Sequence, residues 1–161
     1  MDDFPNLKNP FHFLATLGGI GKIPFAPGTF GSIFSWLIFI FLSHFVNMFY
    51  VTFIGIFLSI WICEMASKNL IQKDHRSIVI DELIGIWIAL LPVLYLADTQ
   101  KERIVYAIAA LLFFRIFDIF KPFPVSYFDE NFKNGTGIVI DDLIAGVMAI
   151  IPSYIILTLL A

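Results

Sequence analysis

Apolar residues occupy most of this chain, in stretches separated by short polar segments. The longest stretch, residues 30–63, has no charged residue and is interrupted near residues 43–47, which predicts two helices joined by a tight turn. Three further stretches lie at residues 83–97, 104–120 and 143–161. A helix that spans a membrane needs about 20 apolar residues. The pattern therefore predicts an all-α fold, a polytopic membrane bundle of four to five short helices.

Composition supports this interpretation. Of the 161 residues, 59% are hydrophobic and only 14% are charged, whereas soluble domains average about 25% charged residues. We expect one membrane-embedded domain over residues 1–161, with a polar amino-terminal segment at residues 1–25. The net charge of −3 gives no reason to expect a nucleic-acid partner. Cys63 is the sole cysteine, which excludes a disulfide framework and a cysteine metal motif.

The distribution of basic residues predicts how the bundle is oriented. Lysine and arginine are concentrated in residues 64–82 and 121–142, and the turn at 43–47 has none. By the positive-inside rule, the amino terminus and both basic segments are cytoplasmic, and we interpret residues 121–142 as a cytoplasmic active-site loop. Residues 98–103 (DTQKER) fit this orientation less well, because they would be external yet include two basic residues.

Two nearly identical motifs, IVIDELIG and IVIDDLIAG, place adjacent carboxylates in apolar surroundings: Asp81 with Glu82, and Asp141 with Asp142. Burying ionised carboxylates without partners is unfavourable. In one interpretation Asp81 and Asp141 are helix N-caps, with the acids favoured by the helix dipole. In the other the carboxylates hold Mg²⁺, which binds carboxylates, water and phosphate oxygens. Four converging carboxylates would repel one another without a cation, so we favour a metal or catalytic role, with which capping is compatible.

The segment FFRIFDIFKPFP brings both charge signs into a predicted helix. Arg115, Asp118 and Lys121 recur at every third position and would share one flank. They could form a local ion-pair ladder. Alternatively, Asp118 has a metal or catalytic role while Arg115 and Lys121 bind phosphate. We favour the functional interpretation, because polar residues inside a membrane bundle are functional candidates.

Two other segments give weaker signals. APGTFGS, which contains Thr29, could present backbone N–H groups to an anion at a helix N-terminus, although we favour a plain Pro-Gly turn followed by a Ser or Thr cap. VSYFDENF, which contains Asp129, suits a short interfacial helix, and Asp129 is either a further ligand or a solvated acid. Together the residues suit Mg²⁺-dependent chemistry on a phosphate at the membrane surface. They do not choose among phosphatases, transferases and ion carriers.

In their order, the motifs APGTFGS, SIVIDELIG, FRIFDIFKPFP, FDEN and GIVIDDLIAG resemble the phosphatidylglycerophosphatase A family of bacteria, over residues 9–150. The resemblance implies a Mg²⁺-dependent, multi-pass enzyme of the bacterial inner membrane with its active site facing the cytoplasm. Such an enzyme removes the terminal phosphate of phosphatidylglycerophosphate to give phosphatidylglycerol. The resemblance further implies catalytic roles for Asp81, Glu82, Asp118, Lys121, Asp141 and Asp142, metal binding by the five carboxylates among these, and substrate binding by Thr29, Arg115, Lys121 and Asp129.

The alternative function is an ion carrier or transport subunit that uses intramembrane carboxylate pairs. Against it, the segment with Arg115, Asp118 and Lys121 has no counterpart in the other half of the chain. For the enzyme, two mechanisms stay open: a carboxylate activates water, or it attacks phosphorus itself. The pattern predicts no oligomeric state.

Overall fold

The fold consists of α-helices joined by short connections. The computed structural model describes residues 4–71, 73–132 and 134–160, so the ends of the predicted domain, residues 1–3 and 161, lie outside the described residues. The helices are α1 (Pro10–Ala15), α2 (Pro27–Leu42), α3 (Met48–Ser67), α4 (Ile80–Leu90), α5 (Val93–Leu96), α6 (Gln100–Phe120), α7 (Val125–Asn131) and α8 (Gly135–Leu160). Every regular element within these ranges is helical, which confirms the all-α prediction.

The predicted apolar stretches correspond to the long helices. The first two are α2 and α3, separated by the expected turn. The third is divided into α4 and α5 at Leu91 and Pro92, because proline cannot supply the backbone N–H that a continuous helix requires. The last two are α6 and α8. The helices found in the described ranges exceed the predicted four to five, because α1 and α7 are added and one stretch is divided.

Two predicted polar segments contain more helix than expected. The amino-terminal segment includes α1 and a 3₁₀ turn at Ile20–Lys22. The segment at residues 121–142 is not a single loop, since it contains the first two turns of α8 as well as α7, which confirms the short helix expected in VSYFDENF. Helix α8 begins before the predicted position because the Asn134 side chain accepts a hydrogen bond from the backbone N–H of Gly137, 2.9 Å away. This contact supplies the N-terminal cap that helices need.

Helix α8 lies at the centre of the bundle and packs against α3, α4, α6 and α7. It approaches α4 closely, since a Cβ added to Gly146 would lie 2.2 Å from the carbonyl oxygen of Gly85. Small residues of this kind allow helix backbones to come close together in membrane proteins. The crossing brings the amino-terminal part of α4 beside that of α8, and with it the two acidic pairs.

Two tryptophans, one buried and one half-buried, join the other helices. The indole N–H of Trp87 in α4 donates to the carbonyl of Ser35 in α2 at 2.9 Å. Trp36 in α2 donates to the carbonyl of Ala107 in α6 at 2.8 Å. A buried indole N–H needs such a partner. These bonds fix α2, α4 and α6 relative to one another, and therefore fix the side chains at their ends.

Helices α3 and α8 are each long and apolar enough to cross a membrane, judged by length and composition. Only 28% of the most apolar 18-residue segment of each helix is buried. A core helix of a soluble protein would be mostly buried. The outer face of α3 exposes large apolar side chains, among them Phe53, Phe57 and Trp61. Extended exposed apolar surface of this kind indicates contact with a membrane or a partner.

Candidate active site

A cavity of about 290 Å³ opens where the amino-terminal parts of α2, α4 and α8 meet the carboxyl end of α6. Its acidic lining residues are Asp74, Asp81, Glu82, Asp118, Asp141 and Asp142, and its basic ones are Arg76, Arg115 and Lys121. Seven of the nine predicted site residues therefore share one cavity. The other two, Thr29 and Asp129, adjoin it through Arg115 and Lys121.

A second cavity, of about 220 Å³, lies between α2, α5 and the first half of α6, towards the opposite end of the bundle. Its described lining is mostly apolar and includes no carboxylate. The concentration of charge therefore identifies the first cavity as the candidate active site.

The four carboxylates of the repeated motifs are all buried. Asp81 and Glu82 lie in the first turn of α4, where the helix dipole favours negative charge. The N-cap interpretation is nevertheless wrong for both copies. The N-cap of α4 is Val79, and Asp141 lies well inside α8, which begins at Gly135. Neither aspartate is needed to start its helix, so burial of these charges requires another explanation.

Arg115 connects three helices at one side of the cavity. Its guanidinium group pairs with Asp118 one turn along α6, and reaches Glu82 of α4 at 3.5 Å. It also donates to the hydroxyls of Ser32, at 3.2 Å, and Thr29, at 3.4 Å, in α2. Of the alternative ion-pair ladder, the pairing of Arg115 with Asp118 is thus present, whereas Lys121 pairs with other carboxylates. Thr29 contacts the arginine, and its predicted contact with substrate stays a prediction.

The first of the two glycines in APGTFGS gives Glu82 room to reach this arginine. A Cβ added to Gly28, in the first turn of α2, would lie 2.1 Å from Oε1 of Glu82, closer than any real contact. Only hydrogen at this position leaves space for the carboxylate. The small residues of this motif therefore bring an acidic side chain against α2, in addition to any role in anion binding.

Lys121 does not share the flank of Arg115 and Asp118, contrary to the sequence-based expectation. It follows the last residue of α6 in the left-handed conformation, with φ of 43°, so its side chain leaves the helix in another direction. The ammonium group lies 2.5 Å from Asp129 of α7 and 2.7 Å from Asp141 of α8. Burial alone would lower the pKa of Lys121, but Asp141 and Asp129 outweigh it and hold that pKa above its usual range. Lys121 is therefore a permanent cation at this site.

Two charged lining residues were not among the predicted site residues. Asp74 and Arg76 belong to the polar segment between α3 and α4, which folds over the cavity. The sequence signal that could have identified them is their position directly before the first acidic motif. A polar segment that leads into a site helix is well placed to supply side chains to that site.

The acidic lining suits a divalent cation. Within the part of the chain that the structure describes, one carboxylate oxygen of each of Asp81, Glu82, Asp141 and Asp142 is buried without a hydrogen-bond partner. Such orphaned oxygens are unfavourable unless a cation or water occupies the space between them. In the same described ranges, no three side chains already converge as a complete metal site. Mg²⁺ does not require one, because it commonly keeps waters and takes one or two carboxylates with substrate oxygens.

Comparison with known proteins agrees with the geometry. The profile of the family described as phosphatidylglycerophosphatase A matches residues 13–157. The phosphatidylglycerophosphatase A of Escherichia coli (strain K12) is 38% identical over 146 residues, covering 89% of this chain and 81% of that protein. The Haemophilus influenzae protein of the same name is 38% identical over 152 residues, covering 92% of this chain and 90% of its own length.

A third relative, from Bacteroides thetaiotaomicron, has a provisional name, phosphatidylinositol-3-phosphatase. It is 36% identical over 155 residues, covering 90% of this chain and 94% of that protein. No solved structure matches the chain. The chain belongs to the phosphatidylglycerophosphatase A family and is a phosphatase. These relatives give no support to the alternative of an ion carrier or transport subunit.

Proposed function

We propose that this phosphatase removes the terminal phosphate of phosphatidylglycerophosphate, giving phosphatidylglycerol, with the help of Mg²⁺. The observation that carries the proposal is the cavity itself, where buried carboxylates with unpaired oxygens lie beside Arg115 and Lys121. Carboxylates that hold a metal ion, together with basic side chains that bind phosphate, are the parts that metal-assisted phosphoryl transfer requires. The names of the Escherichia coli and Haemophilus influenzae relatives support this choice of lipid.

The protein acts as a multi-pass enzyme of the bacterial inner membrane. Helices α3 and α8 have the length to cross, and the apolar helices α2, α4 and α6 run beside them. The cavity adjoins the basic segments around residues 64–82 and 121–142, which the positive-inside rule assigns to the cytoplasm. A phospholipid could then keep its acyl chains in the bilayer while its headgroup enters the cavity.

The side chains divide into two groups. Arg115 and Lys121 are each held between carboxylates, which fixes their positions for contact with phosphate oxygens. Of the repeated motifs, Asp81 and Asp142 form no ion pair with any described residue, so they are the foremost metal ligands, with Glu82, Asp141 and Asp118 beside them. When bound, Mg²⁺ supplies positive charge that stabilises the phosphoryl group during transfer.

Hydrolysis forms one bond from phosphorus to a new oxygen and breaks the bond from phosphorus to the glycerol oxygen. If water is the nucleophile, a carboxylate of the cavity accepts its proton, and the departing glycerol oxygen receives a proton in turn. If a carboxylate oxygen attacks, an acyl-phosphate forms, which water then hydrolyses. Both routes use the same cavity. They differ in whether a covalent phosphoprotein, cleaved by hydroxylamine as acyl-phosphates are, can be trapped by acid quenching in a single turnover.

Purified protein in detergent tests the proposal. We expect release of inorganic phosphate from phosphatidylglycerophosphate with Mg²⁺ present, and loss of release after EDTA, restored by excess Mg²⁺. Phosphatidic acid and phosphatidylinositol 3-phosphate serve as comparison substrates, the latter because of the name of the Bacteroides relative. Faster release from either comparison lipid would overturn the substrate assignment. Activity that persists in EDTA would overturn the metal requirement.

A further inference from the structure

The segment between α3 and α4 brings a third cation, Arg76, to the rim of the active-site cavity. Its side chain is exposed, whereas those of Arg115 and Lys121 are partly buried. Among the described residues, the ion pairs of the cavity involve Arg115 and Lys121, and none involves Arg76. Arg76 is therefore a cation whose charge no described carboxylate neutralises by direct contact.

The backbone around Arg76 is held firmly. The backbone N–H groups of Ser77 and Ile78 both donate to His75, at 3.2 Å to its ring and 2.7 Å to its carbonyl. Ser77 is buried, and the segment packs so closely on the 3₁₀ turn that a Cβ on Gly21 would lie 2.0 Å from the Ser77 carbonyl oxygen. Arg76 thus projects from a braced segment, which lowers the conformational entropy lost when it binds a ligand.

The substrate proposed above carries two kinds of phosphate. Its terminal monoester is the group removed, and a diester joins the glycerol headgroup to the lipid. Arg115 and Lys121 lie within the cavity, beside the carboxylates that would carry out the chemistry. The diester, being nearer the acyl chains, is left at the rim. Arginine suits it well, because a guanidinium group can bind two phosphate oxygens at once.

We infer that Arg76 binds the diester phosphate and is a specificity-determining residue that favours lipids carrying both a monoester and a diester; this rests on the proposed function. Six carboxylates and three basic side chains line the cavity. An anionic lipid therefore meets an excess of negative charge, and each basic side chain that contacts the lipid reduces this repulsion. The guanidinium group of Arg76 attracts the diester phosphate, a group that a lipid with only a monoester phosphate lacks.

The test compares Arg76→Gln with Lys68→Gln, which removes the same charge from the same polar segment at an exposed residue outside the cavity. We expect Arg76→Gln to raise KM for phosphatidylglycerophosphate by roughly tenfold, the loss of one charged hydrogen bond, with little change in kcat. Arg76→Lys should recover part of this loss. Lys68→Gln should behave as the unsubstituted protein.

Phosphatidylglycerol gives a second readout, because it has the diester but no monoester. Its binding can be followed without turnover, as the rise in Tm that added lipid produces in detergent. We expect Arg76→Gln to weaken this binding by roughly tenfold. Two results would overturn the assignment of Arg76. In one, Arg76→Gln binds phosphatidylglycerol as tightly as the unsubstituted protein does. In the other, Arg76→Gln loses as much activity on phosphatidic acid as on phosphatidylglycerophosphate. If the unsubstituted protein bound phosphatidylglycerol through Arg76 but hydrolysed no phosphatidylglycerophosphate, the proposed function alone would be wrong.

Discussion

Asp81 and Asp142 differ from Glu82 and Asp141 in having no cation beside them among the described residues. Both are buried, and Asp142 is only 3% exposed. A buried carboxylate without a cation destabilises the fold. A protein that keeps two of them has a use for their charge, and metal binding at the candidate site is the use that the geometry supports.

Replacing either residue should therefore lower the activity without lowering the stability of the fold. We expect Asp142→Asn and Asp81→Asn each to lower kcat by at least roughly 100-fold, because a metal ligand or proton acceptor is lost. In metal-free buffer, Tm should stay the same or rise, because a buried unpaired charge is removed. Phosphate release and thermal unfolding in detergent measure the two effects.

Asp98→Asn is the matched control, since Asp98 is exposed and lies outside the cavity. It should leave both kcat and Tm unchanged. Near-normal activity of Asp142→Asn or Asp81→Asn would show that the substituted carboxylate has no part in the reaction. A large fall in Tm would instead assign it a structural role.

Gly28 allows a second prediction at the scale of single residues. A methyl group there would lie 2.1 Å from Oε1 of Glu82 and 3.3 Å from the guanidinium of Arg115. The Glu82 side chain can move aside, so Gly28→Ala should change Tm little while it displaces that carboxylate. Activity should fall by roughly 100-fold, as expected for misplacement of about 1 Å in a catalytic site. Kinetic assays of the purified variant measure the loss.

A shorter acid provides the control for this effect. In the double variant Gly28→Ala with Glu82→Asp, the carboxylate no longer reaches the added methyl group. The loss should then be smaller than the product of the two single losses, because the two residues are in contact. Strictly multiplicative losses would show that Gly28 acts independently of Glu82.

At the scale of helices, the crossing of α4 and α8 brings the two acidic pairs together. Gly146→Ala should disrupt it, because the new Cβ would lie 2.2 Å from the backbone oxygen of Gly85, which cannot move without its helix. We expect a loss of roughly 1–3 kcal/mol in stability, as for other overpacked sites. Tm and activity should fall together, in contrast to the pattern expected for Asp142→Asn.

Gly55→Ala makes the same chemical change in another helix, α3. There the nearest atom to the new Cβ is the terminal methyl carbon of Ile84, at 2.8 Å, which can shift at small cost. Alanine is also the better helix former, by about 1 kcal/mol. The Tm of Gly55→Ala should be the same as that of the unsubstituted protein, or higher. A similar fall in Tm for both variants would show that the α4–α8 crossing is no more sensitive than the rest of the bundle.

At the scale of the whole molecule, the parts that the sequence predicted are those that depend on local pattern. The apolar stretches located the long helices, and the charged residues within them or directly beside them located most of the acidic and basic lining of the cavity. What could not be predicted depends on contacts between distant segments. The left-handed backbone at Lys121 turns that side chain towards Asp129 and Asp141. No periodicity along α6 contains this information.

Arg76 escaped prediction for a similar reason. It reaches the cavity only because its segment folds back onto the 3₁₀ turn that carries Gly21. Helix starts were also misplaced where a side chain caps the helix well before its apolar run begins, as Asn134 does for α8. Local patterns thus identified the residue types of the site, whereas packing determined which of them meet.

The orientation of the whole bundle gives the last prediction. Phe45 and Lys68 are exposed at opposite ends of α3, a helix of 20 residues, which is about 30 Å long and matches the hydrocarbon core of a bilayer. If α3 crosses the membrane with its carboxyl end in the cytoplasm, the two positions lie on opposite sides. In a Cys63→Ala background, a membrane-impermeant maleimide added to intact cells should label Phe45→Cys but not Lys68→Cys. Lys68→Cys should react once the membrane is opened.

Retained phosphatase activity in both variants would show that the labelled protein is folded, since neither residue lines the active-site cavity. Labelling of Lys68→Cys alone from outside would reverse the orientation and place the cavity away from the cytoplasm. Labelling of both positions from outside would mean that α3 does not cross the bilayer. The first result would contradict the cytoplasmic orientation and the second the multi-pass arrangement, although the carboxylates and basic residues would still meet in one cavity, as the packing of α4, α6 and α8 requires.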